Sequence, residues 1–269
     1  MDLKKTRTVL LVVIGIVALA VFILSGVHVV SYLRSAAEST DSMDKLREYV
    51  AAESEEDREV SAEGSSQSID SAVPYKSRRA PVRVDFTALQ SINPDISAWL
   101  YCKAIEFNHP IMYSGDNEYY LDHLSDRSYN SAGSLFIDEK NAPDFTDAFT
   151  VIYGHNMLNK SMFGKLPNYT DPAYYQKAPD MYILMPEHSY LLELLARDTV
   201  IESSAVYSLI GTQAEAERLE DLFPAETRFR ENTAFQDGDR YVLLSTCTYE
   251  AEGNRFVVLG RLIELSTGE

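Results

Sequence analysis

The chain of 269 residues contains two cysteines and one tryptophan. Two cysteines exclude both a disulfide-stapled scaffold and a zinc site built from several thiolates. Basic residues are also scarce, with 24 Lys and Arg against 41 Asp and Glu. That deficit argues against a DNA- or RNA-binding protein, which needs clustered cations to neutralise phosphates. No glycine-rich phosphate loop occurs, so there is no sign of a nucleotide-binding turn. What is present is 45% hydrophobic and 24% charged residues, enough apolar side chain for a sizeable core and too much for global disorder.

The formal charge of -17 is unevenly distributed. Residues 1–34 carry Lys4, Lys5, Arg7 and Arg34 against Asp2, a net of +3, so the remainder carries -20. Between the two ends of that basic segment, Thr8 to Val30 has no Asp, Glu, Lys or Arg over 23 residues. At about 1.5 Å rise per residue, such a helix crosses a hydrocarbon core of roughly 30 Å with some tilt. A cleaved signal peptide would have a shorter apolar run; Ser35-Ala36-Ala37 offers a cleavage site, but the length favours an uncleaved anchor. The cluster Lys4, Lys5 and Arg7 precedes the span, which places residues 1–7 in the cytoplasm and everything after the span outside. His28, near the outer end of the span, is read as an interfacial residue.

Residues 31–80 form an extracytoplasmic tether in this reading. Charged helix formers over 41–59 suit a solvated helix, and Ser61 to Ser71 reads as flexible linker. A catalytic domain is expected over 81–269. Its segment 84–92 suits a short helix stopped by Asn93-Pro94. Eight short apolar or alternating runs follow, at 98–105, 110–114, 133–138, 149–154, 181–185, 189–196, 240–247 and 255–265, and read as strands. Helices are expected at 117–124, 161–166 and 212–223, a hairpin turn at Pro186-Glu187-His188, and helix packing for the Tyr-rich segment 171–175. The fold class is mainly β: a closed barrel or sandwich decorated with short helices.

Cys247 ends the apolar run Leu243-Leu244-Ser245-Thr246-Cys247, and a strand end presents a side chain rigidly at the rim of a sheet. A nucleophilic thiolate needs a base or cation nearby. Two candidates stand at other strand ends: His155, after a Gly154 that permits a tight turn, and Arg255, eight residues beyond the cysteine. Histidine supplies proton transfer, and arginine supplies hydrogen bonds to a developing oxyanion. Cys102, within a strand, is expected to be a buried small residue and not the disulfide partner of Cys247. His109, His123 and His188 are expected at the surface.

These segments resemble the sortases, cysteine transpeptidases of Gram-positive bacterial surfaces, and most closely class B. The likeness runs through Pro94 to Leu100, Pro110 to Met112, Asp116 to Leu121, Gly133 to Asp138, Tyr153 to Met157, Met162-Phe163 and Ser245 to Arg255. It covers about residues 85–265 and implies a sortase β-barrel, with 212–223 as the helix that favours class B over class A. One departure is Leu243, which stands where the family pattern Thr-Leu-x-Thr-Cys has its first threonine. The resemblance implies that Cys247 is the nucleophile, His155 its proton-transfer partner and Arg255 the oxyanion or substrate stabiliser. Ser245, Thr246, Tyr249, Asn156 and Met157 flank them and are expected to line the groove. It implies no metal or cofactor. The implied partners are surface proteins bearing a C-terminal sorting motif, and an amine from a cell-wall precursor peptide or a pilin lysine. Two other readings of the same residues are a hydrolytic cysteine peptidase of cell-wall peptides and a non-enzymatic surface binding module.

Overall fold

The computed structural model describes residues 3–52, 79–248 and 253–265. It opens on a helix of 45 residues, α1 (Leu3–Arg47). From Leu11 to Leu33 its large apolar side chains are exposed, a stretch long and apolar enough to cross a membrane by length and composition. The helix does not become a solvated tether. Ser39, Ser42, Met43 and Leu46, at i, i+3, i+4 and i+7, are buried against the following domain. Ser42 donates to Asp126 (2.9 Å), and Arg47 Nε donates to the Asn108 carbonyl (3.1 Å). The helix expected over 41–59 therefore ends at Arg47, where the chain turns into β1 (Val50–Ala52), paired antiparallel with β2 (Val82–Val84). The expected linker at 61–71 lies outside the described residues.

The short helix α2 (Phe86–Ile92) forms where expected. Asp85 caps it by accepting from the Ala88 N–H (2.9 Å), and Phe86 and Leu89 are its buried face. Eight strands then close a barrel: β3 (Ile96–Cys102), β4 (Phe107–Met112), β5 (Leu135–Ile137), β6 (Phe149–Tyr153), β7 (Asp180–Leu184), β8 (Ser189–Ile201), β9 (Tyr241–Cys247) and β10 (Asn254–Glu264). Around the wall the order is β10-β8-β7-β3-β4-β5-β6-β9, with β9 hydrogen-bonded back to β10. The β4–β5 and β6–β9 pairs are parallel, and the others are antiparallel.

The side-chain period of two explains the apolar runs. In β9, Val242 and Leu244 point into the barrel with Leu100, Ile152 and Val258. Leu243 points outward, beneath Leu209, Leu219 and Phe223. The latter two belong to α4 (Ala216–Leu222) and its C-terminal end. A strand covered on both faces reads as continuously hydrophobic rather than alternating. A second external layer packs Leu46, Val82, Phe86 and Leu89 on Trp99, Met112 and Phe136.

The remaining helix is α3 (Pro172–Lys177), whose Tyr175 ring stacks on Phe229 at 4.2 Å, as the Tyr-rich segment suggested. The hairpin at Pro186-Glu187 is closed by the Met185 N–H donating to the His188 carbonyl (2.8 Å). The helices expected at 117–124 and 161–166 shrink to a single 3-10 turn at Tyr119–Leu121 and a bridge-and-turn around Met162. Both stretches are governed by side-chain caps and left-handed residues rather than helical hydrogen bonds. His109 is a second correction. It lies in β4 with its ring buried, 5.1 Å edge-on to Phe107, at the bottom of a cavity whose other wall is the end of α1. His123 is half-buried and stacked on Tyr119 at 4.1 Å, and His188 is an exposed partner of Glu264.

Candidate active site

Register brings the reactive side chains together. Strands β6 and β9 run parallel with Tyr153 opposite Ser245, and the Gly154 N–H donates to the Ser245 carbonyl (3.2 Å). Two residues beyond that pair on each chain stand His155 and Cys247, so equal spacing places them at one strand-end rim. Strand β10 runs antiparallel on the other side, with Arg255 directly opposite Cys247. Three segments distant in sequence thus deliver a thiol, an imidazole and a guanidinium to one cleft of about 300 Å³.

Gly154 is glycine for a different reason than a tight turn. A Cβ there would collide with Leu135 Cδ2 and stand 2.8 Å from Phe163 Cδ2, both in the packed interior. His155 is then held from two sides. The Phe163 N–H donates to its carbonyl (2.9 Å), and its Nε2 lies 2.7 Å from the Leu121 carbonyl. A carbonyl only accepts, so Nε2 carries the proton, and Nδ1 of the neutral ring is the basic nitrogen. Asn156 Nδ2 donates to the carbonyl of Cys247 (2.9 Å), tying the histidine loop to the cysteine strand.

Cys247 is exposed and Cys102 is buried, as expected of Cys102, and both are free thiols. Burial raises the pKa of Cys102, keeping it a protonated core residue. Arg255 Nη2 donates to Glu202 (3.3 Å), and its side chain is 27% exposed, so the cation is oriented yet open to a ligand.

The flanking residues divide. Ser245 and Thr246 border the cleft and are almost fully buried. Ser245 Oγ lies 2.8 Å from the Tyr207 hydroxyl, whereas the Thr246 hydroxyl is buried without a partner among the described residues. Met157 packs against the barrel core and does not border the cleft. Tyr249 lies outside the described residues.

Four lining residues went unassigned from sequence: Asn117, Leu121, Phe136 and Tyr153. Asn117 Nδ2 and the Tyr153 hydroxyl both donate to Asp138 Oδ2, at 3.2 and 3.0 Å. Burial, then Asp138, pushes the Tyr153 pKa far up, so it remains a neutral donor. Their only sequence signal was membership of the segments that carry the family likeness.

No family model matches the chain. Sortase B of Listeria monocytogenes is 34% identical over 203 residues, covering 68% of this chain and 75% of its own length. Sortase B of Staphylococcus aureus is 27% identical over 192 residues, covering 69% and 77%. Among solved structures, sortase B from B. anthracis in complex with AAEK1 superposes with a TM-score of 0.62 at 26% identity. That match covers 86% of this chain and 99% of the other. With this likeness and a closed eight-stranded barrel that carries Cys247 at the end of β9, the chain belongs to the sortase B family and is a sortase-type cysteine transpeptidase.

Proposed function

We propose that the protein is a single-pass membrane enzyme, with residues 1–7 cytoplasmic, 8–30 spanning the membrane and the domain from about 81 onward outside the cell. In that setting it cleaves the C-terminal sorting motif of surface proteins after a threonine. Cys247 Sγ passes its proton to His155 Nδ1 and, as thiolate, attacks the threonine carbonyl carbon; the C–N bond breaks as Nδ1–H gives that proton to the departing amine. The product is a thioester on Cys247. An amine from a cell-wall precursor peptide, or from a pilin lysine, then attacks the thioester; His155 takes up its proton and the thiolate is released. Arg255 donates to the oxyanion in both tetrahedral states. Ser245, Thr246 and Asn156 shape the groove. The residues 31–80 connect the anchor to the domain.

The observation that carries this reading is the shared rim of His155, Cys247 and Arg255, set by the β6–β9–β10 register. The test is product identity. Purified protein is incubated with a panel of sorting-motif peptides, with and without triglycine or diaminopimelate-containing peptide. The reading expects the added amine joined to the acyl fragment. Release of the free acid alone, at the same rate with and without amine, would identify a hydrolytic peptidase instead.

A further inference from the structure

A cavity of about 390 Å³ lies away from the cysteine, where the end of α1 meets the barrel and the loop that follows His155. In a chain of net charge -17 its lining is unusual. Arg47, Lys160 and Lys165 surround it; Lys165 pairs with Glu106 (3.7 Å), whose side chain is 91% exposed, and Arg47 Nη1 pairs with Asp44 at its outer edge (2.8 Å). Two of the cations are fixed at its edge by the backbone. Lys165 Nζ donates to the Ile105 carbonyl (2.7 Å), and Arg47 Nε donates to that of Asn108. The Lys160 ammonium has no ion-pair or hydrogen-bond partner among the described residues. At the floor stands His109, 5% exposed, with Nδ1 buried and unpaired among the described residues. Burial, reinforced by Arg47 and Lys165, pulls its pKa down to about 3, so the ring is neutral and one nitrogen donates. Of the three cations, Lys160 is the one left without a counter-charge among the described residues.

We infer that this cavity binds a phosphate group, held by Lys160, Arg47 and Lys165 with His109 beneath it. The donors come from three elements, α1, β4 and the loop after β6, and so approach from several sides. A tetrahedral oxyanion presents acceptors in all those directions, whereas a planar carboxylate presents them in one plane. The cavity is also far larger than a halide requires. A bound phosphate would bridge the anchor helix to the loop whose Asn156–Met162 bridge and Phe163 N–H hold His155 in place. The donors fit a free phosphate or a phosphate ester on a larger molecule.

The test uses the full chain in detergent micelles, titrated with inorganic phosphate, dimethyl phosphate and acetate by calorimetry. Inorganic phosphate should bind saturably, one per chain, and acetate at least roughly tenfold more weakly. Lys160→Asn suits the positive φ of 64° at that position and removes the charge; it should weaken phosphate about tenfold or more. Arg47→Gln should act in the same direction, with unchanged Trp99 fluorescence reporting an intact fold. Dimethyl phosphate binding as well as inorganic phosphate would assign the site to a diester; weaker binding would assign it to the free dianion. Absence of saturable phosphate binding would overturn the inference. So would equal affinity for acetate, or unchanged binding in both variants.

Discussion

Gly154→Ala is the substitution that most directly couples packing to the position of His155. The new methyl group would meet Leu135 Cδ2 and stand 2.8 and 3.1 Å from Phe163 Cδ2 and Cγ. Leu135 is 1% exposed and Phe163 is fully buried, so neither can swing into solvent. Overpacking of this kind costs about 1–3 kcal/mol. Because Gly154 lies between the strand pair Tyr153–Ser245 and His155, relief comes most easily by moving the histidine loop. Stability should fall by that amount, and acylation of Cys247 should fall by at least about tenfold, the equivalent of about 1.4 kcal/mol. Denaturant unfolding followed through Trp99, the one tryptophan and a fully buried one, gives the first number. Intact-mass kinetics of the acyl-enzyme give the second. Leu135→Val in the same chain removes one methylene's bulk at the collision, so the double variant should be more stable than the sum of the single effects. Wild-type stability and acylation in Gly154→Ala, or strict additivity of the pair, would refute the packing argument.

Three further outcomes are expected. Tyr207→Phe strands the buried Ser245 hydroxyl and should cost about 1–2 kcal/mol in unfolding experiments, with a raised KM for peptide if Ser245 shapes the groove. Leu46→Ala empties a site 3% exposed between α1 and the barrel and should cost about 2–4 kcal/mol; limited proteolysis should then cut after Arg47, which wild type resists. Asp116 accepts from the Tyr119 and Glu118 N–H groups, which lowers its pKa below the ordinary 3.8. Its contribution is therefore complete above that value and fades as pH falls through the lower folded one. Amide exchange at Tyr119 and Leu121, the turn that holds His155 Nε2, should quicken in Asp116→Ala at neutral pH, and in wild type only in strong acid.

The barrel was legible because its strands carry apolar runs of β-branched, leucine and aromatic residues separated by turn residues. Continuous runs such as Tyr241–Leu244 also marked strands buried on both faces. The candidate nucleophile and its two partners were legible as polar residues at the ends of such strands, sharpened by the family likeness. What periodicity could not supply was register: nothing local says that Tyr153 lies opposite Ser245. Residues 117–124 have helix-like composition, but Asp116 captures the first N–H groups into a tight turn. His109 looked like a turn residue beside Pro110, yet α1 covers it. That covering was readable after all, in the spacing of Ser39, Ser42, Met43 and Leu46, and was masked by the surrounding charges.

The central claim is that His155, Cys247 and Arg255 act as one unit on a peptide carbonyl. Single-turnover acylation by a sorting-motif peptide, followed by mass spectrometry with peptide mapping, addresses it directly. Wild type should gain the acyl mass on the fragment containing Cys247 alone. Cys247→Ala should gain none, and His155→Ala and Arg255→Ala should acylate at least about a hundredfold more slowly with fluorescence spectra unchanged. An adduct on Cys102, or wild-type acylation in the His155 or Arg255 variant, would contradict it.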